Sequence, residues 1–190
     1  MISEQAVIEK AVGILNNGGV ILYPTDTVWG IGCDPTNESA VQRVFDLKQR
    51  PTNKSMILLV DSPDRIQPYV RSLSPFAKRL LTESETPQTV ILPEAFGFAP
   101  SILPMQKTVA VRCPKHEFCL RLLRAFGKPL VSTSANLSGE PSACTYRELS
   151  ERLMQGVDYV IPEQYEAGST QKASRIILLN PDESLTVLRE

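Results

Sequence analysis

Apolar runs of four or five residues, each cut off by proline or by small polar residues, limit this chain to a sheet of short buried strands. The first, Val20-Ile21-Leu22-Tyr23, is stopped by Pro24, which has no backbone donor and a fixed φ. Residues 56–60, 89–92 and 108–112 have the same form, and Pro114 closes the last of them. Pro129-Leu130-Val131 leads as a strand into a polar cluster, and three further strands are predicted at 159–161, 175–179 and 185–188. Between these runs the apolar spacing turns helical. Ser3 can cap a helix carrying Val7, Ile8, Ala11, Val12 and Leu15, closed by Gly18-Gly19. Further helices are predicted at 39–47, near 63–70, 75–83 and 146–154, and at 116–126, where Gly127 ends the pattern. Strands and helices mix without strict alternation. The expected fold is therefore mixed α/β (α+β), a twisted mixed β-sheet with flanking helices. The 190 residues suit one core better than two, and no repeat or linker interrupts them, so a single domain over 1–190 is expected.

Two polar clusters directly follow apolar strands. One is Pro24-Thr25-Asp26-Thr27-Val28-Trp29-Gly30-Ile31-Gly32, which runs through a helix into Lys48-Gln49-Arg50-Pro51. The other is Val131-Ser132-Thr133-Ser134-Ala135-Asn136-Leu137-Ser138-Gly139. Hydroxyls, amides and fixed cations at strand ends suit a polyanion, foremost a nucleoside triphosphate. Lys48, Arg50 and Lys54 place three cations within seven residues. They read either as a phosphate site or as a solvated helix end whose charges favour the C-terminal dipole. The Ser132–Asn136 stretch reads either as a ligand cradle or as a capped turn. Arg112 shares a strand face with Thr108, as a carboxylate or phosphate clamp or as half of a surface ion pair. Trp29 can stack on a base or fill the core.

Other chemistries find less support. No G-x-x-x-x-G-K-[ST] loop or dinucleotide fingerprint is present. His116 is the sole histidine, and no nucleophile elbow accompanies it. Cys113, His116 and Cys119 mimic ligand spacing, but the remaining Cys144 is distant and a closed zinc site needs four donors. A net charge of −1 gives no support to bulk RNA binding, although a local basic cleft remains compatible with it. No signal peptide or membrane-length apolar stretch is evident, and four cysteines fit reduced thiols, so a cytoplasmic protein without membrane attachment is expected.

Taken together, the clusters resemble the YrdC-type family of threonylcarbamoyl-AMP synthases over roughly residues 5 to 178. The resemblance rests on the Pro24–Gly32 cluster, on Lys48-x-Arg50-Pro51, on Val109-Ala110-Val111-Arg112-x-Pro114 and on Ser132-Thr133-Ser134-Ala135-Asn136-x-Ser138-Gly139. It implies a YrdC-like domain with a large concave cleft, and a reaction of L-threonine, bicarbonate or CO2, and ATP that yields threonylcarbamoyl-AMP and pyrophosphate. A separate tRNA threonylcarbamoyl transferase would then modify the adenosine beside the anticodon. By the same resemblance Lys48, Arg50, Lys54, Ser134 and Asn136 would hold the ATP phosphates and a Mg2+ environment. Thr108 and Ser142 would help bind the nucleotide. Thr27, Arg112 and Ser132 would hold threonine, with Arg112 on its carboxylate. Such a reaction needs no histidine, because nucleophile and leaving group both come from substrates.

The chain departs from the family pattern in three places. A Pro-Gly-Pro-x-Thr turn reads Glu85-Thr86-Pro87-Gln88-Thr89, and Leu178 stands where an aspartate is usual. The family's C-terminal extension domain has no room within this length. Two other classes stay open at this stage: a non-catalytic paralogue that binds RNA, weakly, or a ribosomal partner, and a carbamoyl-transfer enzyme with another small substrate.

Overall fold

The computed structural model describes residues 3–50, 56–103 and 106–190. Helix α1 (Glu4–Asn16) starts where the Ser3 hydroxyl accepts the Ala6 N–H, and its buried stripe is Val7, Ile8, Ala11 and Leu15. Helix α2 (Glu38–Lys48) is capped by Asn37 and ends at Gln49 in the left-handed conformation, φ 51°. Helices α3 (Pro75–Thr82), α4 (Glu117–Phe126) and α5 (Glu151–Gly156) follow. Ser74 and Ser150 cap α3 and α5 in the same way as Ser3 caps α1.

The described strands are β1 (Ile21–Tyr23), β2 (Gly30–Gly32), β3 (Ile57–Leu59), β4 (Gln88–Leu92), β5 (Val109–Arg112), β6 (Leu130–Ser134), β7 (Tyr159–Val160), β8 (Arg175–Leu179) and β9 (Leu185–Arg189). Among the described residues they form one sheet in the order β7-β1-β2-β6-β3-β5-β4-β8-β9. Pairs β1/β7, β3/β5 and β4/β8 are parallel and the others antiparallel, which is the mixed sheet expected from the sequence. Strand β6 sits centrally. It joins the β2 side to the β3 side, and so carries its polar residues into the middle of the molecule.

Four local expectations change. The predicted helix at 63–70 is two 3-10 turns, Pro63–Arg65 and Gln67–Tyr69, because Pro68 cannot donate an i−4 hydrogen bond. The predicted helix at 146–154 is a 3-10 turn, Tyr146–Glu148, followed by α5 with its own Ser150 cap. Gly30-Ile31-Gly32, read as part of a polar turn, is strand β2, and Ser132 to Ser134 belong to β6 rather than to a turn after it.

The glycines of β2 are there for space. A Cβ on Gly32 would lie 2.6 Å from Tyr23 Cε1 and 2.9 Å from the Val131 carbonyl oxygen. The Tyr23 hydroxyl itself donates to that carbonyl at 3.0 Å, so the ring has no room to swing. Gly32→Ala is expected to cost ~1–3 kcal/mol by overpacking. The melting temperature should then fall by roughly 3–10 °C. An unchanged transition in calorimetry would show that Tyr23 is not the obstacle.

Candidate active site

The ladder registers set Ser132, Ile57, Ala110 and Ile91 abreast on β6, β3, β5 and β4. Side chains in register point to one face of a sheet. All four line a cavity of 460 Å³ over that face. The Pro24–Trp29 loop supplies Thr25, Thr27 and Trp29 to its wall, and β9 contributes Arg189. Arg50, Arg112 and Arg189 line this cavity, and among the described residues no carboxylate does. Its apolar floor and cationic wall suit an amphiphilic anion.

Arg112 is 3% exposed and forms an ion pair with Asp26, itself 2% exposed. Its Nη2 donates to the Thr27 hydroxyl at 3.2 Å, while its buried Nε has no hydrogen-bond partner among the described residues. The surface ion pair read as an alternative from the sequence is thus a buried one. Asp26 also accepts the Lys115 backbone N–H at 3.1 Å, so its charge is held from two directions. Sequence spacing could not pair Asp26 with Arg112, because β1–β2 and β5 meet only through the sheet.

The α2 cations reach the second polar cluster. Lys48 is 1% exposed. Its Nζ donates to the Ser134 carbonyl, to the Asn136 carbonyl at 2.7 Å and to Asn136 Oδ1 at 3.1 Å. Burial, then repulsion from Arg50, lowers its ammonium to about 7, and a nearby polyanion would restore the charged form. Arg50 Nη1 donates to the Thr133 hydroxyl at 3.2 Å, and burial pulls its guanidinium below the ordinary value. Lys48, Arg50, Ser134 and Asn136 line a second cavity of 210 Å³. Arg50 and Ser134 border both cavities, so the two open onto shared side chains.

The fold therefore gathers Thr27, Arg50, Arg112, Ser132, Ser134 and Ser142 at the larger cavity, and Lys48 with Asn136 at the smaller. Thr108 lines neither of these two: it precedes β5, one step beyond Ala110 on the same face. Lys54 lies outside the described residues. Arg189 and Ser174 are lining residues that sequence reading did not select, while Thr25 and Thr133 belong to its two polar clusters without a role of their own. Arg189 gave no signal in sequence, because its place beside Arg112 depends on β9 pairing with β8 and β8 with β4. Burial and then the Arg112 charge lower the Arg189 guanidinium, which is the mark of two cations facing one space.

Trp29 fills the core at 1% exposure, the second of its two readings, and it also lines the larger cavity. His116 is the cap of α4, its Nδ1 accepting the Cys119 N–H at 3.2 Å. Among the described residues no group of three or more His, Cys, Asp or Glu is placed to hold a metal. The side-chain oxygens that line the smaller cavity are the Ser134 and Ser138 hydroxyls and the Asn136 amide. Those suit a Mg2+ that arrives on phosphates and keeps its waters.

The sequence model of a family described as Telomere recombination (Sua5, YciO, YrdC) matches residues 13–190. A threonylcarbamoyl-AMP synthase of Pseudoalteromonas translucida is 38% identical over 175 residues, covering 90% of this chain and 93% of that one. The structure of P. abyssi Sua5 complexed with L-threonine superposes with a TM-score of 0.87 at 27% identity. It matches 100% of this chain, which spans 55% of the length of that Sua5. E. coli YciO gives a TM-score of 0.80 at 26% identity, covering 100% of this chain and 91% of its own.

Proposed function

Because this chain belongs to the Sua5/YciO/YrdC family, we propose that it is a threonylcarbamoyl-AMP synthase, acting on L-threonine, CO2 or bicarbonate, and ATP. The observation that carries the reading is the pair of cavities sharing Arg50 and Ser134, lined by cations and hydroxyls and, among the described residues, by no carboxylate. A triphosphate needs the smaller, lysine-bearing cavity. An amino acid carrying a carbamate needs the larger one. Their shared border is where the α-phosphate and the carbamate would meet.

In this reading Lys48, Arg50, Ser134 and Asn136 hold the phosphates of MgATP, a role the family resemblance extends to Lys54, and the same resemblance gives Ser142 and Thr108 a part in binding the nucleotide. Arg112 takes the threonine carboxylate while Thr27 and Ser132 fix its polar atoms. The threonine amine captures CO2 as a carbamate, losing one proton. A carbamate oxygen then attacks the α-phosphorus, and the bond to the β-phosphate oxygen breaks to release pyrophosphate. The protein aligns the two anions and offsets their repulsion with fixed cations. Mg2+ belongs to the nucleotide, supplying charge neutralisation on the phosphate oxygens.

The product is a reactive mixed anhydride, so a tRNA threonylcarbamoyl transferase is its proposed consumer, in the cytoplasm. Among the described residues no helix is long and apolar enough to cross a membrane. RNA contact, if made, would be weak and salt-sensitive at a net charge of −1. The single domain over 1–190 remains part of the proposal.

The direct test is pyrophosphate release by purified protein with ATP, Mg2+ and bicarbonate, with and without L-threonine, and the adenylate weighed by mass spectrometry. Threonine-dependent release with a threonylcarbamoyl-AMP mass is expected. ATP binding with no release under any of these conditions would overturn the reaction and favour a divergent paralogue.

A further inference from the structure

Glu166 lies outside the cavity lining and yet ties two of its walls together. Its Oε2 accepts the Trp29 indole Nε1–H at 2.9 Å and the Tyr146 backbone N–H at 2.6 Å. Trp29 ends the loop that supplies Thr25 and Thr27, and Tyr146 follows Ser142 and Cys144, which line the same cavity. The two walls also touch directly. The Trp29 N–H donates to the Ala143 carbonyl at 3.0 Å, and the Trp29 and Tyr146 rings meet edge to face, centroids 5.6 Å apart. One carboxylate oxygen thus adds a third side to a contact that a backbone bond and a ring edge also make.

The segment carrying Glu166 continues the same strap. Ser169 donates to the Thr27 carbonyl, and Thr170 donates to the Asp26 carbonyl through both its N–H, at 2.9 Å, and its hydroxyl, at 3.0 Å. Beyond them Gln171 and Ser174 reach the cavity themselves. The segment fixes the Pro24–Trp29 loop at its backbone oxygens. Glu166 also grips the 143–146 turn, through the Tyr146 N–H, and the Gln171 carbonyl accepts the Cys144 thiol at 3.8 Å on the same turn. Removing the Glu166 carboxylate would leave the buried indole N–H without its acceptor, and a buried donor seeks a new partner by moving.

We propose that Glu166 is a positioning residue that sets the spacing between Trp29 and the Ser142–Cys144 wall, and thereby shapes the nucleotide end of the cavity. That the ligand beside Ser142 is ATP rests on the function proposed above. Glu166 touches no substrate; it acts through the Trp29 indole and the Tyr146 backbone. A glutamine there keeps a carbonyl oxygen with two lone pairs, able to accept both N–H donors. An aspartate keeps the charge but withdraws the oxygen by one methylene.

Trp29 is the sole tryptophan of the chain, so its fluorescence reads this contact and ATP binding without turnover. ATP titrations followed by Trp29 emission, the KM values for ATP and threonine, and melting curves are compared for wild type, Glu166→Ala, Glu166→Gln and Glu166→Asp. In Glu166→Ala, ATP affinity is expected to fall ~10-fold with a shifted emission, while the threonine KM changes less than ~2-fold. Glu166→Gln should stay within ~3-fold of wild type for ATP and Glu166→Asp should fall further, because position rather than charge is what matters.

Unchanged ATP affinity in Glu166→Ala overturns the inference. So does a parallel loss for ATP and threonine, which would mean general loosening. Should the alanine variant fail to fold, the glutamine and aspartate variants decide, and a better aspartate than glutamine overturns the inference. Wild-type protein that binds ATP and makes no adenylate would sink the reaction while the ATP titrations still judge Glu166. Wild-type protein that binds no ATP would sink both.

Discussion

Arg50→Ala is expected to lower kcat/KM for threonylcarbamoyl-AMP formation by about 10³-fold with the fold intact, because a fixed cation at the phosphates acts most strongly on the transition state. Arg50 borders both cavities, and no other described cation does. Lys48 cannot take its place, since its ammonium is held by the Ser134 and Asn136 oxygens and lines only the smaller of the two cavities. The Arg50 hydrogen bond to the Thr133 hydroxyl, 3.2 Å long, is a contact of ordinary strength at a half-buried side chain. A loss of ~1 kcal/mol would move the melting temperature by roughly 2–4 °C. Steady-state pyrophosphate release and calorimetry on the same preparation check both halves. Activity near the wild-type level would remove Arg50 from the phosphate site. A collapse of the melting transition would make it a structural residue instead.

Arg112→Ala should behave quite differently. It strips Asp26 of its charged partner at a place where both side chains are nearly inaccessible, 4% and 3% exposed. Leaving one member of a buried pair uncompensated costs about 3–5 kcal/mol. The melting temperature should accordingly fall by roughly 6–20 °C. Where protein survives at low temperature, the threonine KM should rise by about 100-fold or more with the ATP KM little changed, since a carboxylate clamp has gone. The two effects separate in Asp26→Asn/Arg112→Met, which removes both charges and roughly keeps the volume. That double variant should recover most of the stability and none of the threonine affinity. Recovered threonine affinity would show that Arg112 serves Asp26 alone, and an ATP KM rising more than that of threonine would move Arg112 to the nucleotide.

How much of this was legible beforehand follows from the range of each interaction. The caps Ser3 and Gly127 and the strand stops Pro24 and Pro114 act within a few residues, so helix ends and most strands could be read directly. The helix expected at 63–70 failed for a local reason also present in sequence, Pro68, whose missing donor outweighs apolar spacing. Strand β2 was hidden for another reason. Its two glycines read as a turn until Tyr23 is known to lie across them. His116 could be seen as unique, but its use as a helix cap appears only when the Cys119 N–H is placed against it.

The polar clusters marked the candidate site in the sequence, although each also had a structural reading there, a solvated helix end for one and a capped turn for the other. Sequence alone determined which side chains could serve an anionic ligand: Lys48, Arg50, Ser132, Ser134, Asn136 and Arg112 carry their chemistry wherever they are put. Only the tertiary structure decided which of them meet. The sheet order brings β6 between β2 and β3, lays Ser132, Ile57, Ala110 and Ile91 in one row, and carries Arg189 from the far end of the chain into the cavity. It also buries Arg112 on Asp26 and fastens Trp29 to Glu166, 137 residues away. Such partners are chosen by strand pairing over long chain separations, and the spacing of residues along one strand holds no record of which strand will lie beside it.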